Sequence, residues 1–122
     1  MVQKALVVDD SPAELANIKS ILSDAGCLVV VASSGKEAVE KAKAEKPTVI
    51  FLDIVMPDME GLELIRELRR ADPAVKIIAM SGGGRGPASY LELALKFGAR
   101  QVLPKPFTKD SLIAVVKDVL AM

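Results

Sequence analysis

Histidine is missing from this chain. Its absence removes any Ser-His or Cys-His catalytic couple, any histidine-ligated metal and any phosphohistidine carried by the chain itself. One cysteine, Cys27, excludes an internal disulfide and a thiolate zinc cluster. Tryptophan is also missing, and Phe51, Tyr90, Phe97 and Phe107 are all the aromatics there are. So few stacking groups, with a net charge of zero, argue against a nucleic-acid surface. Apolar runs such as Val49-Ile50-Phe51-Leu52 fall far short of the roughly 18 residues of a membrane span, so no membrane insertion is expected. Met1-Val2-Gln3-Lys4 leads straight into a strand-like run, so no signal peptide is expected and a cytoplasmic location is.

What is present is apolar and regular. Hydrophobic residues make up 51% of 122 positions, ample for the core of one domain. Neutrality hides a division: residues 1–61 hold 6 Lys/Arg against 10 Asp/Glu, and residues 62–122 hold 10 against 6.

Short apolar runs alternate with helical patterns. Ala5-Leu6-Val7-Val8 reads as a buried strand that stops at Asp9-Asp10. Ser11-Pro12-Ala13-Glu14 then supplies a helix N-cap, a proline at the first turn and a capping-box Glu. Leu15, Ile18, Ile21 and Leu22 follow at helical spacing, and Gly26 closes the helix. Leu28-Val29-Val30-Val31 is the second strand, and Ser34 with Glu37 opens a helix that Pro47 ends. Thr48 to Leu52 forms the third strand, ending at Asp53; Gly61 precedes a helix carrying Leu62, Leu64, Ile65 and Leu68. Val75–Met80 reads as strand four, followed by the loop Ser81-Gly82-Gly83-Gly84-Arg85-Gly86-Pro87. A helix around Leu91 to Phe97, a short strand at Gln101-Val102-Leu103 and a helix capped by Thr108 complete the pattern. Five β-α units with buried strands predict a parallel sheet covered by helices on both faces.

In such a sheet, ligands collect beyond the carboxyl ends of the strands. The polar residues there are Asp9 and Asp10, Asp53, Ser81 and Lys105. Three neighbouring carboxylates repel one another, and a hard divalent cation relieves the repulsion; Mg²⁺ favours carboxylates together with water and phosphate oxygens. A lysine and a hydroxyl opposite it suit phosphoryl oxygens. With no histidine available, the plausible nucleophile is a carboxylate, and Asp53 lies centrally. Any one of these residues alone is more often a helix cap or a solvated charge. Five on one edge are not.

The ordered set resembles the response-regulator receiver domain: Asp9-Asp10 after the first strand, Asp53-Ile54-Val55-Met56-Pro57 followed by Gly61, Ser81 after strand four, and Lys105-Pro106 after strand five. The resemblance runs from about residue 4 to the last helix. It implies a flavodoxin-like, doubly wound (βα)5 fold of strand order 2-1-3-4-5, one receiver domain over residues 1–122 with no output domain in this chain. It further implies that Asp53 accepts a phosphoryl group from a sensor histidine kinase or phosphotransfer protein and that docking to a downstream protein target changes. By the same resemblance Mg²⁺ sits on Asp10, Asp53 and the backbone carbonyl of Val55, with Asp9 assisting through water; Lys105 and Ser81 engage the phosphoryl group; and Lys105-Pro106 is a candidate cis peptide. A monomer or weak dimer is expected, as is docking over the fourth helix, fifth strand and fifth helix, near Tyr90, Arg100 and Lys109.

Two positions depart from the family. Val102 stands where Tyr or Phe is usual, and the loop with Gly82, Gly83, Gly84 and Gly86 is longer than usual. The expectation is that this loop orders on phosphorylation and substitutes for the aromatic switch. Two competing functions are an aspartyl-nucleophile phosphatase or phosphotransferase and a degenerate receiver that binds without phosphorylation. Against the first, Val55 replaces the second acid of an Asp-x-Asp nucleophile motif.

Overall fold

A computed structural model describes residues 3–54, 61–82 and 89–121. Five strands and five helices alternate: β1 Lys4–Val8, α1 Pro12–Asp24, β2 Leu28–Ala32, α2 Gly35–Glu45, β3 Val49–Asp53, α3 Gly61–Ala71, β4 Lys76–Gly82, α4 Ser89–Phe97, β5 Gln101–Lys105 and α5 Lys109–Ala121. Pairing is parallel throughout, in the order β2-β1-β3-β4-β5.

The helix ends follow from cap chemistry. Ser11 sits in extended conformation with its hydroxyl accepting from Glu14 N–H at 3.3 Å, and Pro12 opens α1 with the backbone angle a first turn needs. Gly26, just past the cap residue Ala25, takes φ 94°, a left-handed angle that a side chain would resist. Ser34 caps α2 in the same manner, and Lys46 in left-handed conformation stops it before Pro47. At α5, Thr108 Oγ1 accepts from Ser111 N–H while Ser111 Oγ accepts from Thr108 N–H, both at 3.0 Å.

Alternation along each strand divides the core in two. Leu6, Val8, Ile50, Leu52, Ile77 and Ala79 pack under α2, α3 and α4 with Ala38, Leu64, Ile65, Leu68 and Ala94. Ala5, Val7, Val49, Phe51, Ile78, Met80 and Leu103 pack on the opposite face against Ile18 and Leu22 of α1 and Leu112, Val115 and Val119 of α5. Each fully buried aliphatic side chain contributes about 1.5–3 kcal/mol relative to exposure. Cys27 lies half-buried beside this second cluster, where burial pushes its thiol pKa up, as suits a small packed hydrophobe.

Several details differ from the sequence reading, beyond one-residue shifts at the ends of β1, β2 and β3. β4 begins one residue later than Val75 and continues through Ser81 to Gly82, and β5 continues through Pro104 to Lys105. Ser81 pairs with Pro104 and Gly82 with Lys105, so the ladder outlasts the apolar pattern. Pro104 is tolerated because β5 is an edge strand and one side of its backbone needs no partner. The arginines of α3 are not simply one solvated face: Arg66 covers the Phe97 ring at 4.2 Å, and Arg69 Nη1 reaches the carbonyls of Val75 and Gly98 at 3.4 and 3.5 Å.

Candidate functional site

Strand order reverses between β1 and β3, since the chain runs from β1 outward to β2 and then returns to the far side of β1. That reversal opens a crevice at the carboxyl ends of the two strands. Asp9 and Asp10 follow β1 directly, and Asp53 is the last residue of β3. Carboxylate oxygens of all three lie within 4.8 Å of one another. Asp9 and Asp53 are buried and Asp10 half-buried. Lys105, at the end of β5, places Nζ 2.8 Å from Asp9 Oδ2 and 3.5 Å from Asp53 Oδ2. Asp9 Oδ1 accepts a further hydrogen bond from Ser11 N–H at 3.0 Å.

Burial alone would lower the Lys105 pKa. Its hydrogen bond to Asp9, with the charges of Asp53, Asp9 and Glu14, outweighs that and holds the ammonium above the ordinary lysine value. Among the described residues, three clustered carboxylates are matched by one ammonium. The surplus negative charge, the hard oxygen donors and the lack of nitrogen or sulfur ligands among these residues fit a Mg²⁺ ion.

The sequence-predicted residues are mostly brought together. Asp9, Asp10, Asp53 and Lys105 form one cluster. Ser81 is buried on β4, one residue beyond Met80, which pairs with Asp53. The Lys105–Pro106 peptide is cis. Val102 is half-buried against the α2-α3-α4 side of the core. Val55, Met56, Pro57, Gly83, Gly84 and Gly86 lie outside the described residues, as does the Tyr90 side chain. The carbonyl expected from Val55 and the expected loop ordering fall on those same residues. Arg100 and Lys109 are both exposed.

Two contributors were not read from sequence. Lys105 hydrogen-bonds to Asp9, with Asp53 the more distant partner, and the Ser11 amide fixes the Asp9 carboxylate. The second had a signal: an aspartate side chain commonly accepts from the backbone N–H two residues further on. Gly61 supports the site from behind. A Cβ there would collide with the backbone of Ile54, next to Asp53, so the start of α3 can approach β3 this closely only without a side chain.

A sequence profile of the response regulator receiver domain matches residues 5–117. The chain belongs to that family. It is 38% identical to the chemotaxis protein CheY of Thermotoga maritima over 98% of both chains. Among solved structures it is similar to a CheY-like receiver domain protein from Methanospirillum hungatei, with 30% identity, a TM-score of 0.89 and coverage of 97% of this chain and 93% of that one. Chemotaxis protein CheY4 of Vibrio cholerae gives 30% identity and a TM-score of 0.87, over 98% and 99%. The receiver domain is thus a two-component response regulator in function, and its five-stranded order is that of its CheY-like neighbours. Receiver domains act between a histidine kinase and downstream targets and bind Mg²⁺ in an acidic pocket. No helix among the described residues is long and apolar enough to cross a membrane.

Proposed function

We propose that Asp53 is the phosphoacceptor of this receiver. The observation that carries the reading is its buried carboxylate, 3.5 Å from the Lys105 ammonium and clustered with Asp9 and Asp10. An Asp53 carboxylate oxygen attacks phosphorus of a phosphohistidine on a partner kinase or phosphotransfer protein. The new O–P bond forms as the P–N bond breaks, and the imidazole nitrogen leaves with the electron pair. Lys105 draws in the phosphoryl oxygens, and the Ser81 hydroxyl donates to one of them once the acyl phosphate exists. Asp9, Asp10, Asp53 and the Val55 carbonyl would hold Mg²⁺, which supplies charge neutralisation for the transferring phosphoryl oxygens.

Phosphorylation adds roughly one negative charge at Asp53. The consequence is altered docking of a downstream protein over α4, β5 and α5, where Arg100 and Lys109 are exposed. Incubation with Mg²⁺ and acetyl phosphate followed by intact-mass spectrometry tests the assignment. A single phosphoryl gain in the parent chain, lost in Asp53→Asn, is expected. A gain that persists in Asp53→Asn overturns it.

A further inference from the structure

Among the described residues the sheet has two free edges, β2 and β5, and they are protected differently. On β5, Pro104 has no N–H to offer and Lys105 brings a charge. β2 reads Leu28-Val29-Val30-Val31-Ala32, with neither proline nor charge, and leaves Leu28 58% exposed. Such a strand is a template for pairing.

Its backbone directions are fixed by β1. Leu28 N–H donates to Gln3 O at 2.8 Å, and Asp9 N–H donates to Ala32 O at 3.2 Å. Alternation then turns the N–H and C=O of Val29 and Val31, and the N–H of Ser33, away from the sheet. Two α2 side chains occupy part of that outward row. Lys41 Nζ donates to Val31 O at 2.7 Å, and Glu37 Oε1 accepts from Ser33 N–H at 2.7 Å. The two heads lie 3.8 Å apart, one helical turn from each other on α2. Bonds to Ser33 N–H and Oγ lower the Glu37 carboxyl pKa, as does the nearby Lys41 charge, and burial only partly opposes them. Glu37 and Lys41 together form a clasp over the carboxyl half of the free edge, and among the described residues none bonds to the half at Leu28 and Val29 in that way.

We propose that the free edge of β2 is a strand-pairing surface for a second copy of this chain, held shut by the Glu37–Lys41 clasp. A second copy fits the edge because two Leu28–Ala32 strands related by a two-fold axis oppose only apolar side chains, and the neutral chain carries no net charge to repel its like. Opening the clasp exposes the Val31 carbonyl and the Ser33 amide in register with the outward Val29 groups, completing an antiparallel ladder.

The test is sedimentation velocity across a concentration series, with circular dichroism to verify folding. Glu37→Ala/Lys41→Ala is expected to strengthen self-association on the order of a hundredfold, since each copy releases a charge-assisted cover from the edge. Adding Val29→Pro, which removes an outward N–H and no bond to β1, is expected to reverse it. If the alanine pair does not fold, Glu37→Met/Lys41→Met keeps the aliphatic stems and gives the same readout. A folded clasp variant that associates no more than the parent, or association that Val29→Pro leaves unchanged, overturns the proposal.

Discussion

At both ends of the sheet a lysine on a strand meets a carboxylate, at nearly the same distance. Lys4 Nζ lies 3.1 Å from Glu45 Oε1 at the amino end, and Lys105 Nζ lies 2.8 Å from Asp9 Oδ2 at the carboxyl end. Burial separates them: the first pair is 34% and 43% exposed, the second 18% and 1%. Water screens the amino-end pair and solvates either partner when the other is removed. At the carboxyl end, charge has been taken out of water and, among the described residues, is left in surplus, because Asp53 shares the same ammonium and Asp10 lies beside both carboxylates. Such an arrangement suits the holding of a cation better than the stabilising of the fold, since apolar packing would do the latter at lower cost.

The largest effect expected from breaking this contrast is at Lys105. Lys105→Met, measured by urea unfolding in chelator, should lower stability by about 3 kcal/mol, the lower end of the range for removing one partner of a buried pair. Mg²⁺ should restore part of it by meeting the same carboxylates. A loss as small as that of a surface pair would make the two ends equivalent. The pH dependence carries a sign. Because the folded pKa of Lys105 is raised, its stabilisation is complete below the unfolded lysine value, about 10.4, and is lost as pH climbs through the folded value. The parent should therefore lose stability relative to Lys105→Met only in that alkaline range.

Next in size is Asp10, half-buried among like charges. Asp10→Asn should raise metal-free stability by about 1 kcal/mol, the scale of carboxylate repulsion at this separation in a largely aqueous dielectric. It should also shrink the stabilisation by Mg²⁺, which for the parent reaches about 2.7 kcal/mol at a hundred times the dissociation constant. Urea midpoints with and without Mg²⁺ check both. Destabilisation of the metal-free variant would mean that Asp10 serves the fold by accepting hydrogen bonds.

Much of this contrast was legible in the sequence. Strands such as β1 and β3 announce themselves because they are buried on both faces, and Ser11, Ser34 and Thr108 mark helix starts by chemistry that works locally. Asp9, Asp10, Asp53 and Lys105 could be placed together because each follows an apolar run in a fold whose ligands collect at that edge. The apolar pattern reports burial and says little of pairing, which is why the ends of β4 and β5 extend past it through Ser81, Gly82, Pro104 and Lys105. Which carboxylate Lys105 favours, and where the Glu37 and Lys41 heads reach, depend on distances between separate elements of the fold.

The smallest expected effect completes the comparison. Lys4→Ala should cost no more than about 0.5 kcal/mol, because Glu45, freed of its partner, remains in water. That cost should vanish at 1 M salt, where the screening length is about 3 Å. The loss in Lys105→Met should largely survive the same salt, since Asp9 is 1% exposed and a monovalent ion atmosphere screens a buried pair far less than an exposed one. Paired urea titrations at low and high salt measure both. If Lys4→Ala proves as costly as Lys105→Met, or if salt abolishes both losses alike, burial is not what divides the two ends of the sheet.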